Sequence, residues 1–421
     1  YYGIDYHSHL GTMFGGMAVF FDGKIHREIH SLTDPFRSKL KKFVNNVEGK
    51  IGIGIISDYE EQPLYSRSKL GEYSIVHVGR VNNLDSLVKE AEEKSSASFS
   101  EITENGNINP VELISYLINQ EENFVKGIEN IQGSIEGSSS LMLLTENGIY
   151  LARDRLGRTP LIIGKRKSDD AFAATLETCA FPNLVKDKEC LGFETERYLG
   201  PGEIGILTEK GYEQLKKPLD NMQICSFLWV YYGYPASSYE GINVELMRYK
   251  SGEIHAEIDK EKGIEIDIVA GIPDSGTAHA IGYANKRGIP YKRPFVKYTP
   301  SWARSFMPQD QETRDRVGRM KLIPIKDLIK GAKLLFCEDS IVRGTQLKDT
   351  IRRLYDYGAE KIHMRPACPP LKHSCKFLNF SISKSPLALA GRKAIVELDG
   401  ENADVSKYND EDSKDYEKMV D

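Results

Sequence analysis

The stretch that decides the fold is "LLFCEDSIVRGTQ", from Leu334 to Gln346. An apolar run of strand-like composition ends in two adjacent acids, Glu338 and Asp339, and breaks into a turn of small and hydroxyl-bearing residues, Ser340 to Thr345. Behind it, "LKDTIRRLYDYGAEK" repeats Ile351, Leu354 and Tyr355 at helical spacing, so the pattern is strand, acidic turn, helix. Gly344 frees the backbone to curl its N–H groups towards an anion, Ser340 and Thr345 add hydroxyl donors, and Arg343 adds positive charge. Two readings follow. One is a solvated acidic turn that merely starts a helix. The other is a phosphate site whose acids hold sugar hydroxyls and a divalent cation, because hard cations take oxygen ligands alongside substrate phosphates.

A second loop, "GIPDSGTAHA" from Gly271 to Ala280, follows the strand-like "IDIVA". Gly271 and Gly276 permit tight turns, Ser275 and Thr277 offer hydroxyls beside Asp274, and the helix N-terminus that follows favours a pyrophosphate group. Its plain alternative is a strand-to-helix connection with a Pro-Asp turn and a Ser/Thr cap. Between the loops lies "VKYTPSWARSFMPQDQETRDRVGRMKL", in which Lys297, Arg304, Arg319 and Lys321 are able to pair with a departing pyrophosphate. The plain alternative there is a solvated loop and a charged helix.

Around these loops, from about residue 240, helix and strand patterns alternate. "ELMRYKSGEIHAEIDKEK" and "GTAHAIGYANKRG" read as helices, and "IDIVAGIP", "KLLFCEDS" and "KIHMRPACPP" as strands. That rhythm predicts an α/β domain with a mainly parallel sheet and ligands at the carboxyl ends of its strands. The first part, to about residue 220, carries short β-like runs ("GGMAVFF", "KIGIGII", "YSIVHV", "SLMLLTENGIYLARD", "GEIGILTEKGYEQL") separated by Gly and Asn turns, the mark of antiparallel hairpins. Helical patterns interrupt them at "HREIHSLTDPFRSKLKKFVNNV" and "PVELISYLINQEENFVKGIENI". This part reads as α+β with packed layers. The acidic tail is expected to be mobile or peripheral, with a weak helical period near its end.

At 421 residues the chain has room for two domains, each with its own core. Its 40% hydrophobic and 28% charged residues place it among soluble globular proteins, and a net charge of −5 without a long basic run argues against general nucleic-acid binding. No uninterrupted apolar segment approaches membrane-spanning length. Six cysteines in so long a chain make no disulfide framework, which fits a reducing cytoplasm. The opening on Tyr1, with no initiating Met and no signal pattern, points to an N-terminal piece that precedes it.

The "CEDSIVRGT" string closely resembles the phosphoribosylpyrophosphate (PRPP) signature of type I phosphoribosyltransferases, in the version found in the glutamine PRPP amidotransferase family. "GIPDSGT" is similar to that family's pyrophosphate loop, with Ser275 at its metal-ligand hydroxyl. Arg304, Ser305 and Phe306 resemble its Arg-Thr-Phe flexible loop, and "VGRMKL" its second basic element. "ICSFLWVYYGYPASSYEGINVELMR" resembles its entry into the transferase domain. "YYGIDYHSHLGTMFGGMAVF", "ARDRLGRTPLIIG" and "TLETCAF" resemble the tyrosine-glycine helix with its "HRG" turn, the "DPxGxRPL" strand and turn, and the Ser-Glu segment of the glutaminase domain.

The resemblance implies an α+β N-terminal-nucleophile-hydrolase-like domain, a sandwich of antiparallel sheets and helices, over 1–220, an α/β type I phosphoribosyltransferase domain over 221–385, and an acidic C-terminal segment over 386–421. It implies Mg²⁺ held by Ser275, Glu338 and Asp339, and PRPP bound by Asp274, Ser275, Gly276, Thr277, Arg319, Lys321, Glu338, Asp339, Ser340, Ile341, Val342, Arg343, Gly344 and Thr345. Lys297 and Arg304 act on the leaving pyrophosphate while ammonia attacks. Purine nucleotides as regulators and a homo-oligomer follow from the same likeness. Cys225 and Cys375 match two ligands of an iron–sulfur cluster found in some members, but two buried thiols are the favoured reading, since this chain does not complete a four-thiolate set.

Several positions depart from the pattern. Tyr298, Thr299 and Pro300 replace a more polar and basic run, and Glu338 replaces the first Asp of the acidic pair. In the first domain, His9 and Gly11 of the "HRG" turn are kept but Leu10 replaces its Arg. Val78 replaces the oxyanion-hole Asn, which leaves the Gly79 N–H, and Ser57 replaces the Arg that binds the glutamine carboxylate. The nucleophilic cysteine of active members falls upstream of Tyr1. The expectation is an amidophosphoribosyltransferase-like enzyme whose glutaminase site is degraded, with free ammonia or a partner as nitrogen source. A phosphoribosyltransferase with another acceptor, and a regulatory protein that senses PRPP or purine nucleotides, stay open as alternatives.

Overall fold

The computed structural model describes all residues except 12, 33, 96, 104–105, 185–191, 299–321, 378–384 and 421, and the backbone alone at 345, 346 and 386. The chain forms two compact units, Tyr1–Ser226 with Ala236–Gly241, and Phe227–Pro235 with Ile242–Asp421.

The first unit is built from strands whose alternate residues feed three separate apolar layers. A three-stranded antiparallel sheet pairs β1 (Phe14–Phe21) with β2 (Lys24–Ser31) and β3 (Ile51–Ser57). A six-stranded antiparallel sheet contains β4 (Leu64–Ser68), β5 (Gly71–Val81), β6 (Gly137–Thr145), β7 (Gly148–Ala152), β8 (Ile204–Thr208) and β9 (Gly211–Lys216), in the order β9-β8-β7-β6-β5-β4. Successive strand residues face opposite sides. Met17, Val19 and Ile56 therefore pack on Phe36, Leu40 and Phe43 of α1 (Phe36–Asn46), while Ala18, Ile53 and Ile55 meet Val76 and Leu144 between the sheets. On the far face, Tyr73, Ile75, Leu141 and Leu143 pack against α2 (Pro110–Gln120) and α3 (Phe124–Ser134). Helix, sheet, sheet, helix is the resulting order of layers, as expected for the α+β sandwich.

Two expectations shift here. "HREIHS" is strand β2 and not the start of a helix, because Asp22 and Gly23, both at positive φ (52° and 70°), close a tight hairpin after β1. "PVELISYLINQEENFVKGIENI" is two helices, since Glu121 is extended and the Asn123 side chain caps a fresh start by accepting from the Lys126 N–H.

The second unit carries a parallel sheet of β10 (Ile268–Gly271), β11 (Lys333–Glu338) and β12 (Lys361–Pro366), with β11 in the middle. Ile268, Ala270, Leu334 and Phe336 face one core with Leu354 of α6 (Thr345–Asp356). Val269, Leu335 and Cys337 face another with Ala256 of α4 (Val244–Glu261) and Ala280, Tyr283 and Ala284 of α5 (Thr277–Arg287). Buried Asp259 receives Arg365 through bonds of 2.7–3.0 Å and the Tyr283 hydroxyl at 2.7 Å, which pins α4, α5 and β12 together. Tyr355, expected on the apolar face of α6, is 49% exposed; Leu354 takes the core position.

The acidic tail is ordered. Within residues 386–420 lie α7 (Ala390–Asp399), a short turn at Val405–Tyr408 and α8 (Lys414–Val420), closed over a small core of Ile395, Tyr408 and Met419.

Candidate active site

Register brings the two sequence loops together. Gly271 pairs with Cys337 and Glu338 with Pro366, so the carboxyl ends of β10, β11 and β12 lie side by side and their loops emerge on one edge. The first loop folds back over the end of β11: the Ile272 N–H donates to the Cys337 carbonyl at 3.0 Å, and the Gly276 N–H to Ile272 at 2.9 Å. A side chain at 276 would put its Cβ 2.0 Å from the Cys337 carbonyl oxygen, so glycine is what allows this approach. The Pro273–Asp274 peptide is cis.

The acidic pair is joined to that loop directly. The Ser275 hydroxyl donates to Glu338 Oε1 at 2.7 Å, and the Asp339 N–H reaches the same oxygen at 3.0 Å. Asp339 is buried and accepts from the Ser340 hydroxyl. Burial, and then the neighbouring Asp339 charge, push the Glu338 carboxyl up to about 8. The two crowded carboxylates repel one another, and with the Ser275 hydroxyl they offer hard oxygen donors, which suits a divalent cation that completes its shell from phosphate and water. Among the described residues no group of three His, Cys, Asp or Glu side chains is placed to hold a metal by itself. Beyond the acids, Ser340 to Gly344 form the turn, Gly344 at φ 70° caps α6, and Arg343 is exposed.

A cavity of about 280 Å³ opens on the other flank of the first loop, lined by Gly271, Pro273, Asp274, Thr277, Tyr291, Arg293 and Phe295. Lys297 Nζ stands 2.6 Å from Asp274 Oδ2 at its edge. Arg293 and Tyr291 are absent from the residues expected from sequence; the basic pair in "YKRPF" ahead of a strand was their signal. His279, the third residue of α5, is also new. It is 1% exposed, and burial followed by the Arg248 guanidinium brings its imidazole down to about 4. Arg304, Arg319, Lys321, Thr299 and Pro300 lie outside the described residues, as do the side-chain contacts of Thr345. Tyr298 is exposed, and Cys225 and Cys375 are half-buried in different units.

In the first unit the positions expected to serve glutamine are filled otherwise. Ser57 is buried, and its hydroxyl donates to Glu60 Oε2 at 2.9 Å while accepting the Glu60 N–H at 3.1 Å. A carboxylate therefore sits where a cation was to receive one. Val78, opposite Ser140 on β6, packs against the inter-sheet core. Gly79, at φ 145°, is held tight: a Cβ there would lie 2.0 Å from the Ser138 carbonyl oxygen. His9 lies 3.1 Å from the buried Glu177, which also accepts from Tyr239 at 2.7 Å and Ser237 at 3.2 Å. In the "DRLGRTPL" turn, Asp154 accepts the N–H groups of Leu156 and Thr159 at 3.0 and 2.9 Å. The expected turn residues keep their hydrogen bonds, and Ser57 and Val78, expected near glutamine, are engaged within the domain.

Known proteins match the chain nearly end to end. A glutamine amidotransferase domain family matches residues 48–181. The amidophosphoribosyltransferase of Bacillus subtilis is 29% identical, over 94% of this chain and 82% of its own. That of Methanothermobacter thermautotrophicus is 30% identical, over 94% and 80%. Among solved structures, one described as the allosteric regulatory enzyme of purine biosynthesis superposes with a TM-score of 0.78 at 28% identity, covering 91% of this chain and 81% of that one. The B. subtilis glutamine PRPP amidotransferase complexed with ADP and GMP gives 0.76 at 28% identity, covering 90% and 81%.

Proposed function

The chain belongs to the amidophosphoribosyltransferase family, and from that premise we propose how its residues divide the work of a PRPP-dependent glycosyltransferase of purine biosynthesis. The reaction displaces pyrophosphate from PRPP with ammonia to give phosphoribosylamine. Glu338 and Asp339 take the ribose hydroxyls. Ser340, Ile341, Val342, Arg343, Gly344 and Thr345 take the 5′-phosphate, and Asp274, Ser275, Gly276 and Thr277 the pyrophosphate. The observation that carries this reading is the Ser275–Glu338 bond of 2.7 Å, which makes one site of two loops that the sequence separates widely.

Ser275, Glu338 and Asp339 would hold Mg²⁺. When bound, the ion supplies positive charge against the pyrophosphate oxygens as the bond to the anomeric carbon breaks. Lys297, Arg304, Arg319 and Lys321 add cations on the leaving side. Ammonia attacks with its own lone pair and needs no strong base; the nitrogen sheds a proton after the new C–N bond forms.

The nitrogen source of this chain is ammonia in preference to glutamine. Glu60 beside Ser57 opposes a glutamine carboxylate, and Val78 offers no side-chain donor to an oxyanion. Purine nucleotides are proposed as regulators on the strength of the ADP and GMP complex of the B. subtilis protein. A cytoplasmic homo-oligomer without nucleic-acid or membrane partners is the proposed setting. The net charge of −5 speaks against nucleic acid, the family likeness carries the homo-oligomer and its compartment, and no described helix is long and apolar enough to cross a membrane.

Calorimetry with Mg²⁺ tests the site. Asp339→Asn is expected to weaken PRPP binding between about tenfold and a hundredfold, the cost of a lost hydrogen bond or ion contact to a charged group. Equal affinity in variant and wild type would remove PRPP from these loops.

A further inference from the structure

We infer that the start of the C-terminal helix α7 is a positioning element for the 5′-phosphate loop, acting through a single backbone bond from Ala390 to Val342. This rests on the proposed assignment of Ser340–Thr345 to the phosphate.

The first N–H groups of a helix have no partner inside it and must find one elsewhere. Ala390, the first residue of α7, gives its N–H to the Val342 carbonyl at 2.8 Å, in the middle of the loop. A Cβ built on Gly344 would stand 3.9 Å from the Ala390 Cβ, so the helix start lies close beside the loop's left-handed corner. On its other side Gly391 sits against the chain that follows β12: an added Cβ there would lie 3.0 Å from the Leu371 carbonyl oxygen and 3.2 Å from Pro370. Residues 389–391 are thus wedged between two segments.

The wedge is anchored. Leu389 is fully buried, and Ile395 joins Tyr408 and Met419 in the tail's core. Lys372 donates to Asn409 Oδ1 at 2.9 Å and to the Tyr408 carbonyl, with the Tyr416 ring 5.7 Å away. The tail is fixed to residues 370–372 and, through Ala390, to the loop.

The consequence follows from the planarity of the peptide group. In a trans peptide the C=O of one residue and the N–H of the next point in opposite directions. Holding the Val342 carbonyl towards α7 turns the Arg343 N–H the other way, away from the helix. A loop that collects a phosphate on backbone N–H groups needs its peptides set before the ligand arrives, and α7 sets this one.

Ala390→Pro isolates the bond. Proline lacks the donor yet fits the first position of a helix, and Leu389, at φ −79° and ψ 136°, already has the extended conformation required before proline. The variant is expected to raise the KM for PRPP about three- to tenfold with kcat unchanged, the worth of one hydrogen bond expressed in binding alone. Ala390→Gly, which keeps the donor, recovers the affinity. In the wild-type protein, PRPP with Mg²⁺ is expected to slow amide exchange across Leu389–Asp399, because coupling between sites is reciprocal.

A wild-type KM in Ala390→Pro, or no protection of those amides by PRPP, overturns the inference. If Asp339→Asn weakens PRPP in the same assays, the PRPP site stands and the helix's role alone falls. If Asp339→Asn has no effect, the site assignment falls with it.

Discussion

Two pairs of a serine hydroxyl bonded to a glutamate, Ser275–Glu338 in one unit and Ser57–Glu60 in the other, do opposite things. Ser275 reaches across 63 residues of chain to Glu338 at 2.7 Å and joins two loops into one site. Ser57 reaches three residues to Glu60 at 2.9 Å and closes a turn upon itself. On the proposed reading, the same bond assembles the PRPP surface in one place and fills the glutamine position in the other. What decides the outcome is whether the carboxylate is left facing a ligand that wants it, such as a sugar hydroxyl or a cation, or one that repels it, such as the carboxylate of glutamine.

The largest effect that this contrast predicts is in the choice of nitrogen donor. With PRPP and Mg²⁺, ammonium salts at raised pH are expected to support turnover at least about a hundredfold better than glutamine, the cost of one missing oxyanion donor, before the loss of carboxylate orientation is added. Release of glutamate from glutamine, coupled to PRPP consumption at a comparable rate, would erase the distinction between the two pairs.

Acid offers a second test, of the intact unit. Folded His279 stays neutral down to about 4, whereas in the unfolded chain it binds a proton below its usual pKa near 6.5. Between those values the unfolded state holds the extra proton. Stability therefore rises with pH across that window and is lost as pH falls from 6.5 to 4, by roughly 3 kcal/mol for this one group. Arg248, His255 and Asp339 are the charged and titratable neighbours that set its field. The first unit has buried imidazoles of its own at His7 and His77, both held low by burial, so a variant is needed to separate the units. His279→Ala is expected to flatten the acid limb in urea titrations followed by tryptophan fluorescence, since both tryptophans, Trp229 and Trp302, lie beyond residue 226. An unchanged slope would clear His279 of any part in it.

Arg304→Ala is expected to lower kcat about tenfold and to leave PRPP affinity nearly as it is, if its charge meets pyrophosphate chiefly as that group departs. Unchanged turnover takes Arg304 out of the chemistry. The smallest effect belongs to Arg293. As an exposed cation on the cavity beside the pyrophosphate loop, it is expected to contribute about two- to fivefold to the KM for PRPP. The gain should shrink as salt is raised, and a salt-independent change on Arg293→Ala would point to packing instead.

The transferase loops were legible in the sequence because their chemistry is local: small residues, hydroxyls and acids packed into a few positions at strand ends. The apolar runs through Met17 and Ala18, and through Leu334 and Leu335, likewise read as strands, and the structure covers both faces of each. What stayed hidden was set by neighbours out of sight. "HREIHS" has a helical look that the Asp22–Gly23 corner overrides. The acidic composition of the tail masks Ile395, Tyr408 and Met419, which are too far apart to show a period and meet only in the folded chain. Glu60 was in plain view, three residues from Ser57, but nothing in its residue type says that it turns back on the serine.

The flush register of β10, β11 and β12 works as a ruler. Each strand residue advances the chain by about 3.3 Å and reverses the face on which its side chain stands. Deletion of Lys333 at the start of β11 would draw Glu338 back by that distance and exchange the two cores for each other, Leu335 moving towards α6 and Phe336 towards α5. Geometry therefore tolerates a change of length in the connections, whereas the same change within a strand displaces the acidic pair and inverts the faces.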